Sequence, residues 1–178
     1  AGNTATATRT VTVVDTTSPT ISMGSGTVTH EAATAYSDEV PTATDTLDGV
    51  VSVTTSGTVD VSTVGSYILT YSVSDEAGNI ATATRTVTVL DTTVPSITIV
   101  NTAVTHEAAT TYSDAAPTAT DTLDGVVSVT TSGTVDVSTV GSYILTYSVS
   151  DEAGNIATAT RTVTVVDTTS PTISMGSG

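Results

Sequence analysis

Asp45, Asp48, Asp75 and Glu76 recur as Asp121, Asp124, Asp151 and Glu152, and a further aspartate stands ahead of each set, at Asp15 and Asp91. Several carboxylates together supply hard oxygen donors, and calcium takes roughly six to eight oxygen ligands. The spacing is not that of an EF-hand loop. The alternative is a set of solvated turn residues, because Asp and Asn also recur wherever turns are needed. Other chemistries find little support. The chain has no Cys, which removes thiolate nucleophiles and Cys-based zinc sites. It also has no Lys. His30 and His106 occur singly beside Glu31 and Glu107, with no second imidazole near in sequence and no serine in a nucleophile motif. A structural or surface histidine is expected, and catalysis is not.

Composition sets the class. The formal charge is −15, with Arg9, Arg85 and Arg161 the only full cations. Such a surface repels nucleic acid and anionic membranes and attracts multivalent cations. No apolar run reaches the roughly 18 residues of a membrane span, so no membrane insertion is expected in this segment. Thr makes up roughly a quarter of the chain, while Phe and Trp are absent and six tyrosines are the only aromatics. The bias favours strands. An acidic, Cys-free, Thr-rich chain fits an extracellular or cell-surface setting.

The elements that must position the carboxylates repeat. Ala1-Gly2-Asn3 returns at Ala77 and again at Ala153, a step of 76 residues (77 − 1 and 153 − 77). Residues 42–93 and 118–169 differ only at Leu90, which becomes Val166. Near-identity at a fixed period describes an array of stacked modules. Each period closes on Asp-Thr-Thr and a proline, at Pro19, Pro95 and Pro171, and proline marks the hand-over between strands of successive modules. The expected organisation is the last strand and linker of a preceding module over 1–17, complete modules over 18–93 and 94–169, and the first strand of a following module over 170–178. Alternation predicts strands around Tyr67–Ser74, Val51–Thr54 and Ile80–Leu90. Turn residues punctuate them at Asp48-Gly49, Ser56-Gly57 and Gly78-Asn79. About seven short strands per module reads as a small β-sandwich. Arg85 falls in phase with Val87 and Val89, so its stem should reach from the core face to an edge and meet a carboxylate, unless a bulge turns it outward.

Three stretches carry a family resemblance: Ala43–Gly49, Val64–Asn79 and the closing strand Ala83–Asp91. They resemble the immunoglobulin-like domains of bacterial surface proteins and the related hyalin repeats. The resemblance implies an all-β fold of tandem immunoglobulin-like sandwiches joined by short Pro-containing linkers. It also implies that Tyr67 and Tyr143 are corner tyrosines, with ordinary core tyrosines as the alternative. In such a sandwich the loop between the second and third strands lies at the same end as the loop before the last strand. That end faces the incoming linker. Asp45, Asp48, Asp75 and Glu76 are then expected near Asp15, and Asp121, Asp124, Asp151 and Glu152 near Asp91, with calcium as the implied cofactor at the joints.

The function expected is mechanical: a repeat segment of an extracellular fibre, stalk or giant surface protein that sets length and stiffness. The alternative is an adhesive module that binds a surface partner. Expected partners are neighbouring copies of the module or fibre subunits. The copies differ most between Ser18–Val40 and Val94–Ala116, where a module-specific contact would lie. The hydroxyl row Thr82, Thr84, Thr86 and Thr88 reads as a solvent face rather than an ice-binding one. Only Tyr36 and Tyr112 are left to serve as an exposed aromatic platform for glycans.

Overall fold

Period-two alternation of Val, Ile, Leu and Tyr with Thr and Ser yields fourteen strands among residues 1–176, the part of the chain that the computed structural model describes. No helix there is long and apolar enough to cross a membrane. The chain divides into two units, Ala1–Leu90 and Asp91–Gly178. In the first, the strands are β1 (Thr20–Ser22), β2 (Thr27–Glu31), β3 (Thr42–Asp45), β4 (Gly49–Val51), β5 (Thr54–Ser56), β6 (Gly65–Ser74) and β7 (Ile80–Leu90). The second repeats them as β8 (Ser96–Thr98), β9 (Ala103–Glu107), β10 (Thr118–Asp121), β11 (Gly125–Val127), β12 (Thr130–Ser132), β13 (Gly141–Ser150) and β14 (Ile156–Val166).

Each unit is all-β and pairs a three-stranded sheet with a four-stranded one. In the first unit the orders are β1-β3-β4 and β2-β7-β6-β5, and in the second β8-β10-β11 and β9-β14-β13-β12. All pairings are antiparallel except β2 with β7 and β9 with β14, which run parallel. A parallel pair needs a long crossover, and here the whole of β3 to β6 supplies it. The run Val51–Thr54, expected as one strand, is divided. Val51 ends β4 in the three-stranded sheet, and Thr54 opens β5 in the four-stranded one. Two residues suffice for the chain to change sheets, because the alternating pattern serves either side of the core.

The core lies between the sheets. Leu69, Tyr71 and Val87 are buried, with Met23, Tyr36, Val53, Val59 and Ala83 packed on them. Leu145, Tyr147 and Val163 take the same places in the second unit, with Ile99 where Met23 stood. Part of the segment that differs between the copies therefore fills core, and Met for Ile is a small change of volume there. Tyr71 and Tyr147 are fully buried and replace the missing Phe and Trp as the large core residues. Tyr67 donates its hydroxyl to the carbonyl of Thr63 at 2.8 Å, and Tyr143 does the same to Thr139. That backward reach of four residues is the corner geometry.

Arg85 keeps the regular register opposite Leu69, so no bulge turns it out. It is 3% exposed. Its guanidinium donates to the Asp38 carboxylate at 2.5 Å, to the Glu39 carbonyl at 2.8 Å and, through Nε, to the Ser25 carbonyl at 3.2 Å. Tyr71 donates its hydroxyl to the same carboxylate and lies under the guanidinium. Arg161, Asp114 and Tyr147 repeat the arrangement. The carboxylate was expected at a sheet edge. It is instead brought inward on the β2–β3 connection, so the ion pair is part of the core. Residues 1–19 and 170–176 carry no strand, and Val11, Val13 and Ile173 are exposed.

Candidate metal centre

Asp45 ends β3, where its Oδ1 accepts the backbone N–H groups of Leu47 at 2.7 Å and Asp48 at 3.2 Å. This is the local turn chemistry that favours Asp at such a position. Asp48 then reaches the loop between β6 and β7, accepting the N–H of Glu76 through Oδ2 at 2.7 Å. Within that loop Asp75 accepts the Asn79 N–H at 2.6 Å on one oxygen and the Asn79 side-chain amide at 2.7 Å on the other. Burial pushes the Asp75 carboxyl up, but the Asn79 amide and N–H outweigh it and hold the group below its ordinary value. The Asn79 amide also approaches the carbonyl of Asp15 at 3.4 Å, and Asp15 folds back to accept the Thr17 N–H at 3.0 Å.

Three separate chain segments thus converge. Asp15, Asp45, Asp48 and Asp75 each place a carboxylate oxygen within 4.8 Å of the others. In the second unit Asp91, Asp124 and Asp151 do the same, with Asn155 donating to the Asp91 carbonyl at 3.2 Å. Asp121 lies beside this group rather than in it, making the same turn contacts as Asp45 to Leu123 and Asp124. Glu76 and Glu152 stand outside both groups. Each contributes its backbone N–H, to Asp48 and Asp124 respectively. Read from the sequence, Asn79 belongs to a turn, and neither it nor Asn155 is linked with the carboxylates. The signal was there in the recurring Asp-Glu-Ala-Gly-Asn string, since an Asn four residues after an Asp can close on it.

The donor set fits a hard cation. Every candidate ligand is an oxygen, and the Asp15 carbonyl faces the same corner. More telling is Asp45, only 7% exposed, whose Oδ2 has no hydrogen-bond partner. Asp121, 8% exposed, has the same orphaned Oδ2. A buried carboxylate oxygen left unpaired among other carboxylates is costly, and a bound divalent cation is one group that would remove the cost. The second conspicuous carboxylate, Glu107, has a different task. It accepts both the N–H and the hydroxyl of Thr168 and the hydroxyl of Thr169, at 2.9, 2.6 and 2.8 Å. This holds the chain that leaves β14. The histidines are structural: His30 meets the Thr34 carbonyl at 3.1 Å and the edge of Tyr36 at 5.1 Å.

Two facing sheets per unit, a strand-switching β4–β5 step and a corner tyrosine define an immunoglobulin-like β-sandwich repeat, with a group of aspartates at one end of each sandwich. The family model for the immunoglobulin-like domain of bacterial surface proteins matches residues 21–89 and 100–165, and the chain belongs to that family. It is also 38% identical over 197 residues to hyalin of Lytechinus variegatus, covering 99% of this chain and 37% of that protein. With hyalin of Strongylocentrotus purpuratus the identity is 34% over 185 residues, covering 94% of this chain and 15% of that protein. The chain thus spans well under half of either relative. Among solved structures, a Clostridium perfringens ZmpB structure containing the M60 catalytic domain and two CBM51 domains aligns with a TM-score of 0.50 at 14% identity. It covers 84% of this chain and 31% of that one, and at this identity it speaks for the fold alone. The chain is an extracellular or cell-surface segment.

Proposed function

We propose that the chain is a mechanical repeat segment of an extracellular fibre, stalk or giant surface protein, non-catalytic, with calcium at the carboxylate group of each module. The observation that carries the ion is the orphaned, buried Oδ2 of Asp45, set among the carboxylates of Asp15, Asp48 and Asp75. An ion there would be held by Asp15 from the linker, Asp45 and Asp48 from the β3–β4 turn, and Asp75 from the β6–β7 loop. In the second module Asp91, Asp124 and Asp151 would hold it, with Asp121 alongside. Bound calcium supplies positive charge that ties the incoming linker to the end of its module. A linker fixed in this way sets the spacing of modules and resists bending. The reading as non-catalytic is supported by histidine rings already engaged with Thr34 and Thr110.

The test is calorimetric. The chain, stripped with a chelator, is titrated with calcium and then melted at each concentration. Binding in both modules should raise the melting temperature, equivalent to about 2.7 kcal/mol once calcium exceeds its dissociation constant a hundredfold. A melting curve identical in calcium and in chelator would remove the ion from the proposal. Small-angle scattering in the two conditions reads the stiffening separately.

A further inference from the structure

The eighteen carboxylates are not spread over the surface. Each lies in a turn, a linker or loop, or at the last residue of a strand, as Glu31 does in β2 and Asp45 in β3. On the outer face of the four-stranded sheet a carboxylate falls only at the end of the edge strand, Glu31 opposite Leu90 and Glu107 opposite Val166, and the rows across the other three strands are neutral. Register makes these rows a lattice of hydroxyls. Thr54, Ser72 and Thr82 stand in one row across β5, β6 and β7, and Ser56, Thr70 and Thr84 in the next. Thr86 lies between Thr27 of β2 and Ile68 of β6. Ile68 and Ile80 project from this face at 60% and 62% exposure, and Ile144 and Ile156 repeat them at the same values.

We propose that this face is a lateral docking surface for a second copy of the chain, sheet against sheet. The argument is charge. On a chain of −15, contact at a loop-bearing end juxtaposes like charges, whereas two such faces can meet over the rows of β5, β6 and β7, which carry no carboxylate, with Glu31 and Glu107 left at the rim. Interdigitated Thr and Ser can exchange hydrogen bonds across the pair, and the isoleucines supply apolar area. Strand lengths give on the order of 500 Å² per module face. That is below the roughly 800 Å² per partner of a stable specific interface, so one pair of faces binds weakly and repetition along an array supplies the strength. A flat crystalline ligand such as ice fits less well, because adjacent strands in a sheet twist by about 20–25°. The proposal rests on the structural reading of the chain but not on calcium.

Sedimentation of the whole chain against concentration, in chelator and at both low and about 1 M NaCl, tests it. The expected result is reversible self-association that strengthens with salt as the repulsion between acidic ends is screened. T84D/T160D, which places carboxylates at exposed points of the two faces, should abolish it. T58D/T134D, off these faces, should leave it unchanged. A chain that stays monomeric up to about 1 mM overturns the proposal. So does association that survives T84D/T160D, or that appears only with calcium. Retention on insoluble polysaccharide without self-association would assign the face to a glycan surface and equally overturn it.

Discussion

The carboxylate of Asp48 accepts the backbone N–H of Glu76 at 2.7 Å across 28 residues of chain, and Asp124 repeats the contact with Glu152 at the same distance. The β3–β4 turn and the β6–β7 loop are therefore already joined before any ion is considered. What is left over is the second oxygen of Asp45, buried beside that junction without a partner.

From this follows a change of sign. In Asp45→Asn the retained Oδ1 can still accept from Leu47 and Asp48, while the new amide can donate to the neighbouring carboxylates. Without divalent ions the substitution removes one charge from the cluster and satisfies the orphaned position, stabilising the first module by about 1 kcal/mol. With calcium the same substitution deletes a ligand and should lower both affinity and melting temperature. Thermal melts in chelator and in calcium check both arms, and a loss of stability in both would leave no role for an ion at Asp45.

The Arg85–Asp38–Tyr71 cluster should behave as core. Arg85→Met leaves the Asp38 carboxylate uncompensated inside the module, and breaking such a pair costs about 3–5 kcal/mol. Tyr71→Phe removes one hydroxyl donor to Asp38 and costs about 1 kcal/mol. Denaturant unfolding measures both. Burial, then the Asp38 hydrogen bond and charge, push the Tyr71 hydroxyl up to about 12, and Tyr147 matches it beside Asp114. A raised folded value means the contribution is complete below the ordinary 10 and disappears as pH climbs through about 12. Ultraviolet titration of Asp38→Asn should show Tyr71 ionising earlier.

Much of this was legible because the pattern is long and regular. The eleven residues of β7 alternate without a break, which fixed both ends of the strand and put Arg85 in phase with Val87 and Val89. The partner Asp38 was not legible, since it lies 47 residues away on a loop that carries no period. Asp45, Asp48 and Asp75 could be grouped only through the connectivity expected of the sandwich; spacing along the chain says nothing of it. The same connectivity grouped Glu76 with them, but it places only the loop, and it is Asp75 of that loop whose carboxylate joins the group. Val51–Thr54 misled for a related reason: two residues of alternation look the same whether a strand continues or changes sheets.

Glycine positions separate turn chemistry from crowding. Gly57 has φ 97°, and a Cβ there would stand 2.4 Å from the Ile68 carbonyl oxygen, which is held in the sheet. Gly49 has φ 75° with nothing within 4 Å of the same position. Gly49→Ala should cost only the left-handed backbone penalty, about 1 kcal/mol. Gly57→Ala adds the displacement of β6 and should cost at least twice as much, as should Gly133→Ala in the second module. Equal losses at Gly49 and Gly57 in denaturant unfolding would mean that β6 yields to the methyl group.

Acid should release the segment leaving the second module before it unfolds the core. The Thr168 hydroxyl, then its N–H, then the Thr169 hydroxyl hold the Glu107 carboxyl below its ordinary value of 4.5. A depressed folded value contributes stability that is fully present above 4.5 and is lost as pH falls through the lower folded value. Stability of the second module should therefore decline on the acid side of 4.5. In Glu107→Gln the amide keeps one acceptor oxygen for the Thr168 N–H and loses the other, and the group no longer titrates. The variant should be less stable than the parent at neutral pH and show a shallower decline in acid. Melts collected from about pH 3 to 7 measure the two slopes, and parallel curves would place the acid sensitivity of the second module in another carboxylate, Asp136 first.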